Sequence, residues 1–435
     1  MTTLQIGFAG IIALVVLISA GVPLAFGIGV IAIIGITAVM GFQQAGVQLF
    51  QVAFVTTTDF ILTSIPLFIL MGQLVAVGKL GRDLYDCVQK WMGWLPGGLA
   101  VATVTSCAAL GAVTGISVAG IGALGPVALP EMRRHGYDNR LAAGSLASAS
   151  TLAIMIPPSI SFIIYGIWTE TSIGQLFIAG VIPGIIMTVV FCAYIVFASI
   201  RNPSRAPRGP SHSMHERLQS LVNVLPVVVV FFGLVGGLYF GWFTPSEGAA
   251  VGCVAVALIL FVMGRLTWSG LVESTVVSAR ISIMIFAILI AAQLFSRFIV
   301  VTDVQRVMVE LATSYDLNRY LMIALILALY LFLGMILDGF SMMLLTLPFV
   351  FPIIKQLGFD AVWFGVVLTL MIEVGLLTPP VGLNCYMLHR IAPEISLGEI
   401  FRGVIPFVVL CLLCAAAFTA FPEIVLWLPR RAFGF

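Results

Sequence analysis

The chain repeats its own pattern of helix-breaking residues after 222 positions (348 − 126 for the first pair, 380 − 158 for the last). The pattern ends in Pro157-Pro158 in the first half and in Pro379-Pro380 in the second. Proline removes a backbone donor and collides with the preceding turn, so it interrupts helices. Two matched sets of interrupted helices predict a chain built from two related halves. The other matched residues are Pro126, Pro130, Gly136 and Asp138, which correspond to Pro348, Pro352, Gly358 and Asp360.

The composition places these helices in a membrane. Hydrophobic residues make up 61% of the 435 residues, charged residues make up 9%, and the mean hydropathy is +1.17. Since a soluble domain carries roughly 25% charged residues, we predict an all-α polytopic membrane protein whose surroundings are the lipid bilayer. The net charge of +2 is too small to indicate a nucleic-acid partner.

The remaining chemistry-bearing residues indicate neither an enzyme nor a transition-metal site. Seven cysteines and four histidines are scattered through the chain without the paired spacing of a metal centre. The sequence also lacks a nucleophile–base constellation and a G-x-x-x-x-G-K-[ST] phosphate-binding loop. We therefore expect no cofactor, no ATP hydrolysis and no metal other than sodium as a coupling ion.

The apolar runs divide into continuous and interrupted ones. Runs of about 20 residues can cross a bilayer core of roughly 30 Å. Segments 99–130 and 320–352 have glycine-rich or polar middles and are predicted to be re-entrant hairpins, whereas 141–167 and 361–387 contain the Pro-Pro pairs and are predicted to be helices unwound at mid-membrane. The alternative is two ordinary proline-kinked helices in each half. The continuous candidates are 4–20, 22–40, 60–77, 182–200, 222–240, 249–263, 276–295 and 404–428.

Loop charges indicate that the two halves are inverted. The loop 133–140 is basic and therefore cytoplasmic by the positive-inside rule, while its counterpart 355–361 has one Lys and one Asp. The loop 168–180 has no Lys or Arg, while its counterpart 389–402 carries Arg390 and Arg402. The excess of basic residues thus lies on opposite loops of the two repeats, as an inverted repeat requires. The orientation of the termini stays open.

These features divide the chain into four parts. We expect N-terminal scaffold helices over 1–59, a first inverted repeat over 60–200 with a hairpin (99–130) that opens inward, and a cytoplasmic linker over 201–221. The second half, 222–428, carries the other repeat and a hairpin (320–352) that opens outward.

The interrupted elements are where we expect the chemistry. Unwound backbone and the C-terminal ends of half-helices offer oxygen ligands to alkali cations, whereas half-helix N-termini suit a carboxylate. We predict two sodium sites that flank one anion site. The predicted cation ligands are Gly111, Thr114, Ser117, Ser150, Thr151, Pro157, Gly334, Asp338, Ser341, Glu373 and Thr378, and the predicted solute contacts are Gly115, Ser159, Gly339 and Asn384.

Several of these residues also have a purely structural explanation. A Ser or Thr in a membrane helix usually bonds to its own backbone or to a neighbouring helix, which is the commoner role for Ser148, Ser150 and Thr151. An ionisable residue at membrane depth costs roughly 2.5–3.5 kcal/mol and is a functional candidate. Asp338 is therefore expected to act as a sodium ligand or to support the hairpin tip, and Glu373 as a ligand or as half of an ion pair with an Arg.

Together, these residues resemble the large membrane subunit of tripartite ATP-independent periplasmic (TRAP) transporters, over about residues 5–428. The resemblance implies an elevator-type fold of the ion-transporter superfamily in the bacterial inner membrane and sodium-coupled uptake of an organic acid. It also implies two partners, a small four-helix membrane subunit on a separate chain and a periplasmic solute-binding protein. The matching phrases are SIPLFILMG (64–72), GAVTGIS (111–117), IPPS (156–159), LDG (337–339) and LTPPVG (377–382).

The chain departs from that family at two positions. Ile116 stands where the family commonly has a second serine, and Ala153 stands where a glycine is usual. The departures concern the side-chain ligands of the first sodium site and leave its backbone ligands unaffected. A stand-alone sodium- or proton-coupled dicarboxylate carrier of the same superfamily is the alternative function, which transport without a binding protein would favour. A channel or an intramembrane enzyme is the third. The solute and the sodium stoichiometry stay open.

Overall fold

The computed structural model describes residues 2–115, 117–314 and 317–434. Across these ranges the chain forms 21 α-helices and two short 3₁₀ turns, without a β-strand. The helices are α1 (Thr3–Ser19), α2 (Leu24–Met40), α3 (Phe42–Thr58), α4 (Ser64–Val77), α5 (Leu80–Met92), α6 (Gly98–Thr114), α7 (Ser117–Arg134), α8 (Asn139–Ala149), α9 (Leu152–Met155), α10 (Ile160–Thr169), α11 (Ile173–Arg201), α12 (Met214–Tyr239), α13 (Pro245–Val262), α14 (Trp268–Val301), α15 (Val304–Ser314), α16 (Arg319–Gly334), α17 (Gly339–Gln356), α18 (Ala361–Leu377), α19 (Leu383–Ile391), α20 (Leu397–Ala420) and α21 (Glu423–Phe433).

Many of these helices are long and apolar enough to cross a membrane. Six qualify singly among the described residues, namely α11, α12, α13, α14, α17 and α20. Two bent pairs raise the number to eight if each is one span: α3 with α4, bent by 62°, and α8–α9 with α10, bent by 42°. The prediction of an all-α, multi-pass membrane protein is confirmed.

Both predicted hairpins are pairs of helices joined by a short break. In the first, α6 ends at Thr114 and α7 begins at Ser117. Ile116, one of the two departures from the family pattern, lies outside the described residues. In the second, α16 ends at Gly334 and α17 begins at Gly339. The hairpin tips therefore lie where the sequence predicted them.

The single prolines of the repeat play a different role from the Pro-Pro pairs. Pro126 and Pro130 lie inside α7, and Pro348 and Pro352 lie inside α17. These helices continue through their prolines, as membrane helices can when neighbouring groups satisfy the freed carbonyls. The helix breaks of each half therefore lie at the hairpin tip and at the Pro-Pro pair, and not at these four prolines.

The Pro-Pro pairs interrupt their helices completely. Residues 156–159 separate α9 from α10, and residues 378–382 separate α18 from α19. The backbone is extended at Ile156 and Thr378, the residues that precede the pairs, and both Pro-Pro peptide bonds are cis. The alternative of ordinary kinked helices is thus excluded, and the prediction of two unwound segments is confirmed.

Helix boundaries repeat with the interval of the sequence pattern. Helix α7 runs from Ser117 to Arg134 and α17 from Gly339 to Gln356, so both ends differ by 222 (339 − 117 and 356 − 134). Asp138 and Asp360 cap the helices that follow, each side chain accepting from two backbone N–H groups. The repeated aspartates are therefore capping residues that start α8 and α18.

Buried apolar side chains form two clusters. The larger one joins the hairpins, the unwound helices, α4, α11, α12, α13 and α20. A smaller one is formed by α1, α2 and α3 with the second half of α14, and Phe298 lies at its centre. The first three helices thus pack as a unit against α14.

The structure contains helices that an apolar search passes over. Helices α5 and α15 are amphipathic, and α3 is rich in glutamine and threonine. The predicted continuous span 404–428 is interrupted between α20 and α21, at Phe421 and Pro422.

The linker between the halves is shorter than the predicted 201–221. Helix α11 ends at Arg201 and α12 begins at Met214, so residues 202–213 connect the two long helices. The linker backbone forms two hydrogen bonds to neighbouring turns: the N–H of Gly209 donates to the carbonyl oxygen of Gly93 before α6 (2.9 Å), and the N–H of Asp138 before α8 donates to the carbonyl oxygen of Arg205 (2.8 Å).

Candidate functional site

The first hairpin tip rests directly on the first unwound segment. Gly115 has a φ of +64°, which a glycine adopts without strain, and a Cβ there would collide with the carbonyl oxygen of Pro158. One turn earlier, the backbone of Gly111 lies against Ala153, the second departure from the family pattern. The first hairpin tip and the first unwound segment are therefore in contact.

The second half repeats this contact with different residues. A Cβ on Gly334 would lie 2.9 Å from the Cα of Gly375, so α16 and α18 touch backbone to backbone just before their breaks. The N–H of Val381 donates to the carbonyl oxygen of Met335 at 3.3 Å, which joins the unwound segment to the tip. Gly339, the first residue of α17, lies against Ile372 of α18.

Among the described residues, a side-chain hydrogen bond joins the interrupted helices of the two halves. The Asn384 side-chain amide donates from Nδ2 to Oγ of Ser150 at 3.3 Å, and both side chains are fully buried. Ser150 immediately follows α8, and Asn384 lies in the first turn of α19. One predicted cation residue of the first half and one predicted solute residue of the second half are therefore in contact.

Three hydroxyls at the breaks already bond to their own helix. Ser150 donates to the carbonyl of Ala147 at 2.6 Å, Thr151 donates to that of Ser148 at 2.7 Å, and Thr378 donates to that of Val374 at 2.6 Å. This is the structural role that the sequence left open for them. A hydroxyl that donates its hydrogen keeps the lone pairs of its oxygen, so each of these oxygens can still coordinate a cation.

Other polar atoms of the site are buried without a hydrogen-bond partner among the described residues. Such an atom costs roughly 1–3 kcal/mol if nothing satisfies it. A bound cation or a polar solute would supply the missing partners. These atoms are the hydroxyl oxygens of Thr114, Ser148 and Ser341, both carboxylate oxygens of Glu373, and Oδ1 of Asn384.

The two carboxylates have different surroundings. Asp338 is half-buried and caps α17, with Oδ1 accepting from the N–H of Ser341 at 3.1 Å. It therefore holds the second tip in place, which was one of its two expected roles. Glu373 is 1% exposed, and within the described part of the chain it forms no ion pair with an arginine, which was the alternative.

Helix N-termini meet the same region. Helix α10 begins after Ser159, whose Oγ accepts from the N–H of Phe162 at 3.4 Å. Helix α19 begins after Gly382, which has no side chain to cap it, and α7 begins with Ser117, which is buried. The free N–H groups and positive ends of these helices suit an anionic group.

The broken elements carry almost no charge of their own. Segments 98–115, 141–169, 320–354 and 361–388 contain two acidic residues, Asp338 and Glu373, and no Lys or Arg. Their combined side-chain charge is therefore negative when both are ionised. In a medium of low dielectric constant, this charge favours cations and opposes an anion that arrives without them.

Sequence reasoning missed three residues near the breaks. Ser106 in α6 and Thr369 in α18 are buried and have unpartnered hydroxyls within the described structure. Thr369 precedes Glu373 by one helical turn, so polar spacing along an apolar helix was the available signal. Gly72 of α4 packs against Thr114, where a Cβ would lie 3.4 Å from the Thr114 Cβ.

Known proteins share this architecture. The family described as "Tripartite ATP-independent periplasmic transporter, DctM component" matches residues 11–424. The chain is 31% identical over 389 residues to the C4-dicarboxylate TRAP transporter large permease protein DctM of Pseudomonas aeruginosa, covering 89% of this chain and 90% of that one. It is also 31% identical over 441 residues to the ectoine TRAP transporter large permease protein TeaC of Halomonas elongata, covering 100% of both.

A solved structure shows the same fold. The crystal structure of the Alcanivorax borkumensis YdaH transporter aligns with a TM-score of 0.62 at 15% identity, over 91% of this chain and 90% of that one. The family match spans nearly the whole chain, so the predictions of a transport protein rather than an enzyme and of a multi-pass inner-membrane location are confirmed. The chain belongs to the family of the DctM component, the large permease, of tripartite ATP-independent periplasmic transporters.

Proposed function

We propose that this chain forms the membrane pathway for sodium-coupled import of a small organic acid. The observation that carries the proposal is the hydrogen bond between Asn384 and Ser150, because it brings the interrupted helices of both halves to one buried place. Relatives named for a C4-dicarboxylate and for ectoine support a small carboxylate-bearing solute.

The charge of the site supplies the reason for coupling. Within the segments 98–115, 141–169, 320–354 and 361–388, Asp338 and Glu373 are the acidic residues, and there is no Lys or Arg. A carboxylate solute entering alone would meet like charge, whereas bound cations remove that repulsion. Two sodium ions that enter with a 100 mV potential and a tenfold gradient release roughly 7 kcal/mol, which is enough to concentrate a monoanion.

We assign one sodium site to each half. The first uses the hydroxyls of Thr114 and Ser117 and the backbone carbonyls around Ser150, Thr151 and Pro157, near Gly111. The second uses Asp338, Ser341, Glu373 and Thr378 with the carbonyl of Gly334. The solute lies between them, against Oδ1 of Asn384 and the helix ends at Gly115, Ser159 and Gly339.

The packing supports transport by motion of one bundle against another. The hairpin tips contact the unwound segments in both halves, so these parts move together when they carry a common cargo. Helices α1–α3 pack with α14 in a separate cluster. This packing suits the static scaffold that we assign to residues 4–77, which include α4, and to the first helices of the second half. Alternating access then follows from movement of the cargo-bearing bundle past this scaffold.

Two partners complete the proposed transporter. The family description makes the chain one component of a three-part system. We assign the outer apolar face of the scaffold, which exposes Phe26, Phe50 and Phe54, to a small four-helix membrane subunit. A periplasmic solute-binding protein would dock on the loops 241–248 and 355–361, beside the second hairpin, which we propose opens outward.

Reconstitution with single omissions tests this function. The chain, the small subunit and the binding protein are incorporated in or added to proteoliposomes, and uptake of labelled succinate or ectoine is followed with sodium or potassium outside. We expect uptake to need sodium, the small subunit and the binding protein. Full uptake without the binding protein would instead establish the stand-alone carrier, and sodium-independent uptake would refute the coupling.

A further inference from the structure

Three arginines from distant parts of the chain line one small pocket. Arg140 lies in the first turn of α8, Arg205 lies in the segment 202–213, and Arg402 lies near the start of α20. The pocket has a volume of about 180 Å³, and Tyr194 and Asn202 at the end of α11 also line it. Arg140 precedes Ser150 by ten residues, which is about 15 Å along a helix at 1.5 Å per residue. The pocket is therefore separate from the candidate transport site.

The positive charge of this pocket is not neutralised within the described part of the chain. Neither Arg140, Arg205 nor Arg402 takes part in a salt bridge there, whereas Arg133 pairs with Glu394 and Arg265 pairs with Asp83. The one acidic residue that lines the pocket is Asp138, and its Oδ1 accepts from the N–H groups of Arg140 and Leu141 at 2.8 and 3.3 Å. Three arginines and one carboxylate thus line the pocket, and the carboxylate is engaged in capping α8.

The rest of the pocket wall is apolar and belongs to membrane helices. Leu141, Ala198 and Pro406 line it, and the last two lie on α11 and α20, which both qualify as membrane spans. The three arginines belong to segments that loop charge places on the cytoplasmic side. The pocket therefore lies at the boundary between the bilayer and the cytoplasm, where headgroups of anionic lipids are found.

We propose that this pocket binds the phosphate group of an anionic phospholipid. A guanidinium group presents paired N–H donors that match phosphate oxygens, and the Tyr194 hydroxyl and Asn202 amide add two more donors. The volume is smaller than the roughly 300–1,000 Å³ of pockets that enclose a whole ligand. It suits a headgroup phosphate whose acyl chains lie outside, along α11 and α20.

Occupancy would brace a contact between the two halves. Helices α8 and α20 touch backbone to backbone beside the pocket, because a Cβ on Gly144 would collide with the carbonyl oxygen of Gly403. Arg140 and Arg402 flank this contact from the two helices. A phosphate held by both would keep α8, and the Ser150 end of it, fixed against α20.

Lipid binding by the full-length chain tests the proposal. Affinities for short-chain phosphatidylglycerol, short-chain phosphatidylcholine and inorganic phosphate are measured in detergent by microscale thermophoresis. We expect phosphatidylglycerol to bind and phosphatidylcholine to bind much more weakly. Replacing Arg140, Arg205 and Arg402 by Gln should weaken phosphatidylglycerol binding about fivefold per arginine, or about a hundredfold in the triple variant.

A matched triple variant separates a pocket from general surface charge. Arg134, Arg208 and Arg390 also lie in basic segments, are exposed, and do not line the pocket. Replacing these three by Gln removes the same charge and should leave phosphatidylglycerol affinity within about twofold. Equal losses in the two triple variants, or equal binding of both lipids, would overturn the proposal. Binding of inorganic phosphate as tight as that of phosphatidylglycerol would show a soluble anion site instead.

The three arginines are exposed, so their replacement should leave the fold intact, and a second variant checks this directly. Replacing the three by Lys keeps the charge and removes the fork of paired donors. This variant should bind phosphatidylglycerol with an affinity between those of the wild type and the Gln variant. Affinity as low as that of the Gln variant, with an unfolded thermal profile, would attribute both losses to structure and refute the site.

Discussion

Asn384 and Ser150 lie 234 residues apart in the chain, and the Asn384 amide donates to the Ser150 hydroxyl oxygen at 3.3 Å. Ser150 uses its own hydrogen for the carbonyl of Ala147, so it accepts from Asn384. The other half of the Asn384 amide, Oδ1, has no hydrogen-bond partner among the described residues. One amide thus joins the two repeats and leaves one buried acceptor available to a ligand.

Replacing Asn384 by Ala should impair transport strongly. The change removes both the hydrogen bond between the halves and the free acceptor, and a lost buried hydrogen bond costs roughly 1–3 kcal/mol, or roughly 5- to 150-fold in a binding constant. The measurement is initial uptake at varied solute concentration in proteoliposomes. Ser145→Ala is the matched control, because Ser145 is equally buried in α8 but bonds to the carbonyl of Ala142 in its own helix. Equal effects of the two changes would contradict a special role for Asn384.

The positions of the breaks were predictable, because a proline acts on its own turn of the chain. Pro157-Pro158 and Pro379-Pro380 end helices in the structure as the sequence indicated. Pro126 and Pro348 do not, since they lie inside α7 and α17, which continue past them. A proline alone does not reveal which of these outcomes its neighbours allow.

Amphipathic helices were harder to identify. Helix α5 contains Arg82, Asp83, Asp86 and Lys90 within 13 residues, so a search for apolar runs passes over it. The meeting of Asn384 with Ser150 also had no local signal. It depends on how two inverted halves pack, which spacing along one helix does not encode. The roles of the predicted site residues therefore stay predictions, and the structure shows the contact of Asn384 with Ser150 and the contact of each hairpin tip with the interrupted helix of its own half.

Two substitutions of Asp338 separate its charge from its capping bond. Asn is as good a helix N-cap as Asp, so Asp338→Asn keeps the bond to the N–H of Ser341 and removes the charge. Asp338→Ala removes both the charge and the capping bond, and should lower the free energy of unfolding by about 1 kcal/mol more than Asp338→Asn does. We expect both variants to raise the sodium concentration needed for half-maximal uptake or to abolish uptake. Unchanged sodium dependence in Asp338→Asn would leave Asp338 with the capping role alone.

Replacing Glu373 by Gln should stabilise the sodium-free protein and weaken its response to sodium. Both Glu373 oxygens are buried without a described partner, and an unpaired buried charge opposes folding. The neutral amide removes that charge and one cation ligand together. Thermal unfolding is measured with sodium and with potassium, and the melting temperature in potassium should rise while its further increase in sodium shrinks. A sodium response equal to that of the wild type would exclude Glu373 from the cation site.

A reversible cross-link between the first tip and α4 should stop transport. The Cβ positions of Gly72 and Thr114 lie 3.4 Å apart, close to the roughly 3.5–4.5 Å of a disulfide. The pair Gly72→Cys and Thr114→Cys is made in a background without the seven native cysteines. Uptake is compared after oxidation and after reduction of the same sample, so any loss due to Thr114 itself cancels.

A cross-link inside the proposed scaffold is the counterpart of that experiment. A Cβ on Gly29 of α2 would lie 3.6 Å from the Cβ of Ala291 in α14, so Gly29→Cys with Ala291→Cys forms a link of the same length. Both helices belong to the part that we propose is static, so oxidation of the Gly29–Ala291 pair should leave uptake unchanged. Oxidation of the Gly72–Thr114 pair should abolish uptake, and reduction should restore it. Full uptake with the tip locked to α4 would mean that the tip does not move relative to that helix, and the proposed motion of one bundle past the other would have to be abandoned.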